Sequence, residues 1–151
     1  MRISARADYE VRAVVEPAVR QGEGPVTAEV VATAQDIPHT FLEGILGDLR
    51  RGGVDSRRGG GGGYRLAREA SETTVADVIR AADGPIVSVR GERPSGLAYS
   101  GTAEPLLALW IAPRASVRGL LEGVTIAGPA AGALPEPVER PPAEPVAWEN
   151  P

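Results

Sequence analysis

The chain contains no cysteine, and this absence excludes several kinds of chemistry at once. Its 151 residues include a single histidine, His39, and all sixteen cationic side chains are arginine. Without thiols, the chain has no disulfide, no zinc ion held by thiolates and no cysteine nucleophile. Without lysine, it has neither a Schiff-base amine nor the lysine of a phosphate-binding P-loop. A metal site would have to consist almost entirely of carboxylates.

Aromatic residues and long apolar runs are also scarce. With only six aromatic residues, the predicted core consists mainly of Val, Ala, Leu and Ile. No run of 18 apolar residues predicts a membrane span. The first segment, MRISARADYEVR, is charged throughout and lacks the apolar stretch of a secretory signal. We therefore expect a cytoplasmic protein with no membrane association, built as one domain or as a small domain with an appendage.

Positive charge is concentrated in one stretch of an acidic chain. The net charge is −4, yet residues 50–68 contain six arginines and one acid, a net charge of +5. Two arginine pairs precede a five-glycine run, after which residues 64–66 alternate between apolar and polar. This pattern predicts a two-stranded hairpin with a flexible, cationic tip. The local charge indicates attraction to a polyanion, with nucleic acid the leading candidate.

Apolar spacing predicts four helices around this hairpin. The first three cover residues 3–20, 27–34 and 39–51, and the third has the clearest helical pattern, with apolar residues at Phe41, Leu42, Ile45, Leu46 and Leu49. Pro17 is expected to kink or end the first helix. Thr27 is the predicted N-cap of the second. The fourth helix begins at Thr74, with Asp77 as its capping partner, and ends at residues 84–85.

The rest of the chain divides into three parts. Residues 86–103 lack periodicity and are predicted to form a loop. Residues 104–127 form a long apolar segment that Pro113 interrupts, which predicts a kinked helix or two helices. From 128 to 151, seven of 24 residues are proline and few are strongly apolar. This tail is predicted to be disordered or extended.

Two short helices joined by a four-residue turn and followed by a cationic hairpin are typical of a winged helix-turn-helix. The predicted fold class is therefore mainly α with a small β-hairpin, the winged domain covering residues 1–85. In this fold the second helix enters the major groove N-terminus first, and the hairpin, or wing, lies along phosphates or the minor groove.

Four segments carry a resemblance to a known family. MRISARADYEVRAVV, IPHTFLEGILGDLRRGG, GGGYRLAR and TVADVIRAADGP, in this order and spacing, resemble the Rrf2 family of bacterial transcription regulators. The resemblance covers about residues 1–127. It implies a homodimer that binds double-stranded DNA, and segment 104–127 is similar to the helix that crosses to the twofold mate.

The resemblance also implies which residues contact DNA. The recognition helix would begin near Pro38, and its first turn would present His39, Thr40 and Glu43 to base edges. The wing would contribute Arg57 and Arg58, and phosphates would be contacted by Arg50, Arg51 and Arg65. Each of these residues can also be interpreted without DNA contact. His39 would then be a surface residue at a helix start, Glu43 an exposed acid on a helix, and the wing arginines solvated charges.

Many members of the family hold an iron–sulfur cluster with three cysteines in the loop after the fourth helix. Here that loop, residues 86–103, has none, and such clusters are held chiefly by thiolates. The chain is therefore similar to the branch without a cluster. We expect no cofactor, with a small-molecule or protein effector in place of the redox signal.

The sequence departs from the family pattern in several places. Val54 is followed by Asp55 where the family has a second apolar residue, and the first wing strand is one residue short. Prolines at 17 and 113, with glycines at 44, 47, 52 and 119, weaken the helices. We expect a protein that is either held by its dimer or marginally stable.

Our hypothesis is a homodimeric, sequence-specific DNA-binding regulator, expected to be a repressor and not an enzyme. One alternative is a protein-interaction module in which DNA binding is lost or secondary and the tail or the 86–103 loop binds a partner. Another is a nucleotide-binding enzyme that uses the glycine run 59–63. Tyr9, Phe41 and Tyr64 are expected in or near the core. Trp110 is expected at the dimer interface or beside an effector pocket, and Arg114, Arg118 and Glu122 in an exposed ion-pair row.

Overall fold

A computed structural model describes residues 3–58 and 62–139 and is mainly helical with one small hairpin, as predicted. The elements in chain order are α1 (Ala5–Val19), α2 (Ala28–Gln35), α3 (His39–Arg51), β1 (Asp55–Arg58), β2 (Gly63–Leu66), α4 (Val75–Ala82), α5 (Leu106–Glu122), α6 (Ala127–Ala130) and α7 (Glu136–Glu139). Short 3₁₀ turns occupy Ala70–Glu72, Pro94–Gly96 and Gly101–Ala103.

Polar side chains start three of these helices by accepting hydrogen bonds from otherwise unpartnered amides. The Ser4 hydroxyl caps α1, and Thr27 caps α2 as predicted. The predicted capping box of Thr74 and Asp77 is confirmed: each side chain accepts a bond from the backbone of the other, at 3.1 and 3.2 Å. Pro17 does not end α1, which continues to Val19.

The hairpin is antiparallel, with Asp55 opposite Leu66 and Arg58 opposite Gly63. It is joined to the segment before α2, because the backbones of Val26 and Tyr64 exchange two hydrogen bonds of 2.7 and 2.8 Å. A Cβ atom at Gly63 would lie 2.4 Å from the Cβ of Pro25, so this approach requires glycine. The base of the hairpin is therefore held against the helical domain.

Helix α1 runs through the middle of the domain and packs against α2, α3, α4, α6 and β2. The core is aliphatic, as predicted, and its largest members include Leu42, Ile45, Leu46 and Leu49. Phe41 is not part of it, since 59% of the residue is exposed. Phe41 lies about 90° around α3 from the centre of the buried stripe, which is why the core prediction was wrong for this residue.

Helix α5 runs through Pro113 as one helix that ends at Glu122, with Gly123 as its C-cap. Of the two predicted alternatives, two separate helices are therefore wrong. The chain then returns to the start of α4: Val75 N donates to Val124 O at 2.9 Å, and Ile126 N donates to Thr73 O at 2.8 Å. Val124 and Ile126 are buried in the core. Within the described chain, no helix has the length and hydropathy that crossing a membrane would require.

Residues 128–139 differ from the predicted disordered tail. They include most of α6 and all of α7, and Ala130 and Val138 pack against the core. The segment is poor in strongly apolar residues, but the buried Ile126 just before it holds it against a surface that local sequence does not reveal. Residues 140–151 of the predicted tail lie outside the described residues.

Candidate nucleic-acid interface

The connection between α2 and α3 sets the position of the predicted recognition helix. Asp36 ends α2 in the left-handed conformation, at φ 49°, and its amide donates to Ala32 O. Ile37 follows and is buried at 3% exposure. Helix α3 then begins at His39, where the sequence predicted it. This tight turn and its buried anchor hold the two helices as a helix-turn-helix.

The first turn of α3 is open to solvent and carries the predicted base-contact residues. The side chains of His39 and Glu43 are 55% and 73% exposed, with Nδ1 and Oε1 separated by 4.0 Å. Thr40, between them, is also exposed. Among the described residues, no side chain caps this helix, so its first amides can donate to an incoming acceptor. The arrangement presents donors and acceptors together on one convex surface.

An aromatic pair borders this turn and was missed by the sequence analysis. The rings of Phe41 and Tyr9 lie 6.3 Å apart between centroids, tilted by 46°. The Arg12 guanidinium lies 5.4 Å from the centroid of Tyr9. The offset of Phe41 from the apolar stripe was the only sequence signal for its exposure. The pair adds an apolar, cation-bordered surface beside the polar N-terminal turn.

The two arginines at the C-terminal end of α3 differ in their surroundings. Arg50 is exposed and makes no ion pair with a described acid. Arg51 is 72% exposed but pairs with Asp48, which also accepts a bond from Arg6 of α1. Arg50 therefore has its charge available for a phosphate, whereas Arg51 would have to compete with Asp48.

The wing is described only in part. Arg57 and Arg58 have their backbones in β1, opposite Tyr64 and Gly63, but their side chains lie outside what the structure describes. Arg65 lies on β2 opposite Ser56, half-buried and with an interaction of its own. Residues 59–61 of the glycine run, on which the nucleotide-binding alternative depends, also lie outside the described residues.

Behind the recognition helix lies a buried carboxylate that the sequence analysis did not identify. Glu10 of α1 has an exposure of 0%. Burial, and secondarily the negative charge of Asp83, raise the pKa of Glu10 to about 7, while Arg6 opposes the shift. Arg6 Nε lies 3.0 Å from Glu10 Oε1, and the same guanidinium bonds to Asp48 of α3. A charged network therefore connects the interior of α1 to the recognition helix.

A helix-turn-helix whose second helix begins in solvent, followed by an antiparallel hairpin, defines the winged helix-turn-helix class of DNA-binding proteins. The sequence profile of the Rrf2 family, described as iron-dependent transcriptional regulators, matches residues 3–129. The chain therefore belongs to the Rrf2 family and is a DNA-binding transcriptional regulator, as the sequence indicated.

Relatives and solved structures agree with this assignment. Rv1287 of Mycobacterium tuberculosis, whose name places it among HTH-type transcriptional regulators, is 48% identical over 139 residues, covering 91% of this chain and 86% of its own. The regulator IscR of Photorhabdus laumondii is 34% identical over 127 residues, covering 83% of this chain and 77% of its own. The structure of CymR, the global cysteine regulator of B. subtilis, superposes with a TM-score of 0.70 at 30% identity, covering 88% of this chain and 98% of CymR.

The residues of this chain do not fit the iron–sulfur group that the family description suggests. The chain has no cysteine to supply thiolates. In the part of the chain that the structure describes, no group of three or more His, Asp or Glu side chains is placed to hold a metal ion. The part of this chain that the structure describes therefore offers no set of ligands for the iron that the family description names.

Proposed function

We propose that this protein is a homodimeric repressor that reads an imperfect palindrome through the first turn of α3 and responds to an effector other than an iron–sulfur cluster. The observation that carries the proposal is the solvent-exposed, uncapped start of α3 with His39, Thr40 and Glu43 side by side. In a twofold dimer, two such helices would enter successive major grooves about one helical turn apart. We place this activity in the cytoplasm.

The proposed base contacts follow from the chemistry of the first turn. His39 and Thr40 can donate to or accept from base edges, and Glu43 can accept from a cytosine amino group. Phe41, exposed beside them, is suited to contact a thymine methyl group. Arg50, Arg57, Arg58 and Arg65 are the proposed phosphate contacts, with Arg51 joining them when it leaves Asp48.

The proposed dimer is supported by the surface of α5. No residue of this helix, all of which the structure describes, is buried in the single chain. Leu106, Leu109 and Leu120 are 37%, 55% and 50% exposed, and their spacing places them on one face within about 60° of arc. An apolar stripe of this kind on the exposed face of a helix is typical of a surface that a second copy covers.

The test is retention of DNA fragments from upstream of the protein's own gene, measured at two salt concentrations. We expect one fragment to be retained specifically, with affinity that falls as salt rises. Arg58→Gln should weaken binding to all fragments and lower the salt slope by about one. Arg90→Gln, which removes the charge of an exposed arginine in the loop after α4, is the matched control and should leave the slope unchanged.

Glu43→Gln should act differently, because a base contact carries sequence information. We expect relaxed discrimination at one operator position, by about 1–3 kcal/mol, with the salt slope unchanged. A folded dimer that retains no fragment at either salt concentration would overturn the proposal and favour the protein-interaction module instead.

A further inference from the structure

A cavity of about 270 Å³ lies where the winged domain meets α5, away from the first turn of α3. Four arginines line it: Arg80 of α4, Arg93 of the following loop, and Arg114 and Arg118 of α5. Pro85 and Ile86 supply an apolar wall. The cavity therefore combines cationic side chains from three separate segments with a small apolar surface.

The positive charge of this cavity is only partly neutralised. Glu122 Oε1 accepts a bond from Arg118 Nε at 2.8 Å and another from Arg80. These two bonds hold the pKa of Glu122 below its ordinary value, so this carboxylate stays ionised. Arg80 also lies 3.7 Å from Asp77. Neither Arg93 nor Arg114 makes an ion pair with an acid in the described chain. Only part of the predicted ion-pair row is therefore present.

This arrangement favours a ligand with negative charge. Guanidinium groups gathered at one cavity repel each other, and an anion between them removes that repulsion. Their planar fork matches the two oxygens of a carboxylate or a phosphate. The volume lies just below the usual range for ligand pockets, which favours a compact molecule. The apolar wall suits a short carbon skeleton.

The cavity is also placed to influence the recognition helix. A Cβ atom at Gly52, just after α3, would lie 2.3 Å from the Cβ of Ala81. Helix α4, which contributes Arg80, therefore touches the end of α3 directly. A ligand bound by Arg80 and by the arginines of α5 would connect the recognition helix to the helix that we assign to the dimer.

We propose that this cavity binds a compact dianion, a dicarboxylate or a phosphate compound, and that this ligand is an effector that changes operator affinity. The effector role rests on the proposed function as a DNA-binding repressor, whereas binding of the anion does not. Ligand binding is therefore measured first, without DNA.

The experiment is titration calorimetry of the full chain with succinate, inorganic phosphate and pyrophosphate at constant ionic strength. Neutral succinamide serves as the uncharged probe. We expect one class of anion to bind with one site per protomer, and the preferred class identifies the acidic group. Arg93→Gln and Arg114→Gln should each weaken binding about tenfold or more, as expected when charge-assisted hydrogen bonds are lost. Arg90→Gln, on the same loop but outside the cavity lining, should bind as the wild type does.

Arg93 is exposed and Arg114 is half-buried, and neither has an ion-pair partner among the described residues, so these variants should fold. Circular dichroism checks this. Arg114→Lys keeps the charge but not the fork, and should bind more weakly than the wild type and more tightly than Arg114→Gln. A saturating concentration of the anion should change the operator affinity of the wild type but not that of the double variant Arg93→Gln/Arg114→Gln. Operator DNA should in turn change the affinity of the wild type for the anion by the same factor.

Four results would overturn the proposal in whole or in part. No heat from any anion at millimolar concentration, or equal binding by the double variant and by Arg90→Gln, would show that the cavity is not a site. Anion binding without a change in operator affinity would remove the effector role. A loss of DNA affinity and salt slope in Arg114→Gln without anion would assign this surface to DNA. If operator binding itself is absent while anions still bind, the proposed function fails and the site stands.

Discussion

Glu10 occupies a position that an aliphatic residue would fill in a simple amphipathic helix. Its neighbours in α1 at helical spacing, Ala7, Ala13 and Val14, are all buried. The carboxylate has Arg6 on one side and the negative charge of Asp83 on another. Helical periodicity places residue 10 on the buried face, but the identity of its partners depends on how α1 meets α3 and α4.

The raised pKa of Glu10 predicts a pH-dependent stability. The folded protein binds a proton at Glu10 up to a pKa of about 7, whereas the ordinary value is 4.5. Proton binding at Glu10 therefore stabilises the folded state fully below the ordinary pKa, and this stabilisation is lost as the pH rises through about 7. At about 1.4 kcal/mol for each pKa unit, the loss is on the order of 3–4 kcal/mol.

Urea unfolding at about pH 5 and about pH 8 tests this prediction. The free energy of unfolding should differ less between the two pH values for Glu10→Gln than for the wild type. At about pH 8 the variant should be more stable than the wild type. Glu23→Gln, which changes an exposed carboxylate, is the control and should follow the wild type. Equal pH dependence in Glu10→Gln and the wild type would contradict the assignment.

Among the secondary-structure elements, the recognition helix shows how well local sequence can predict the bounds of a helix. Its observed bounds, His39–Arg51, match the prediction because four buried residues recur at helical spacing and glycines follow. The sequence left open whether α5 continues through Pro113, and it did not predict the short helices after Ile126. Local rules assign a free-energy cost to proline and to weakly apolar segments, but they do not show which neighbouring surface offsets that cost.

Alanine substitutions at Gly44, within α3, and at Gly52, just after it, should change the free energy of unfolding in opposite directions. A Cβ atom at Gly52 would overlap Ala81, whereas at Gly44 nothing lies within 4 Å. Gly52→Ala should lower the free energy of unfolding by about 1–3 kcal/mol through overpacking. Gly44→Ala should raise it by about 1 kcal/mol, because alanine favours the helix. Chemical denaturation measures both, and a change of the same sign in the two variants would contradict the close contact between α3 and α4.

At the scale of the whole molecule, the exposed leucine stripe of α5 predicts that the chain functions as a dimer. Leu109→Asp should convert the dimer to a monomer, because a twofold interface places the charge at two copies of the site. Each buried leucine contributes about 1.5–3 kcal/mol, so the two copies account for about a hundredfold or more in dimer affinity. Sedimentation equilibrium measures this change.

Ile111→Asp is the matched control for this substitution. Ile111 is 40% exposed and lies about 160° around the same helix from Leu109. The variant should remain a dimer and keep its operator affinity, whereas Leu109→Asp should lose most of it. A Leu109→Asp protein that still sediments as a dimer would show that another surface forms the interface.

The sequence alone determined the class of this protein: its helix starts, its cationic hairpin, the family to which it belongs and the absence of thiolates for a cluster. These properties depend on residue identity and on spacings of a few residues, which periodicity and motif order report directly. The burial of Glu10, the exposure of Phe41 and the meeting of four arginines at one cavity became known from the fold: Arg80, Arg93, Arg114 and Arg118. Each depends on how helices distant in sequence pack together. Helical spacing indicates which face of one helix is buried, but not which residues of other helices meet that face.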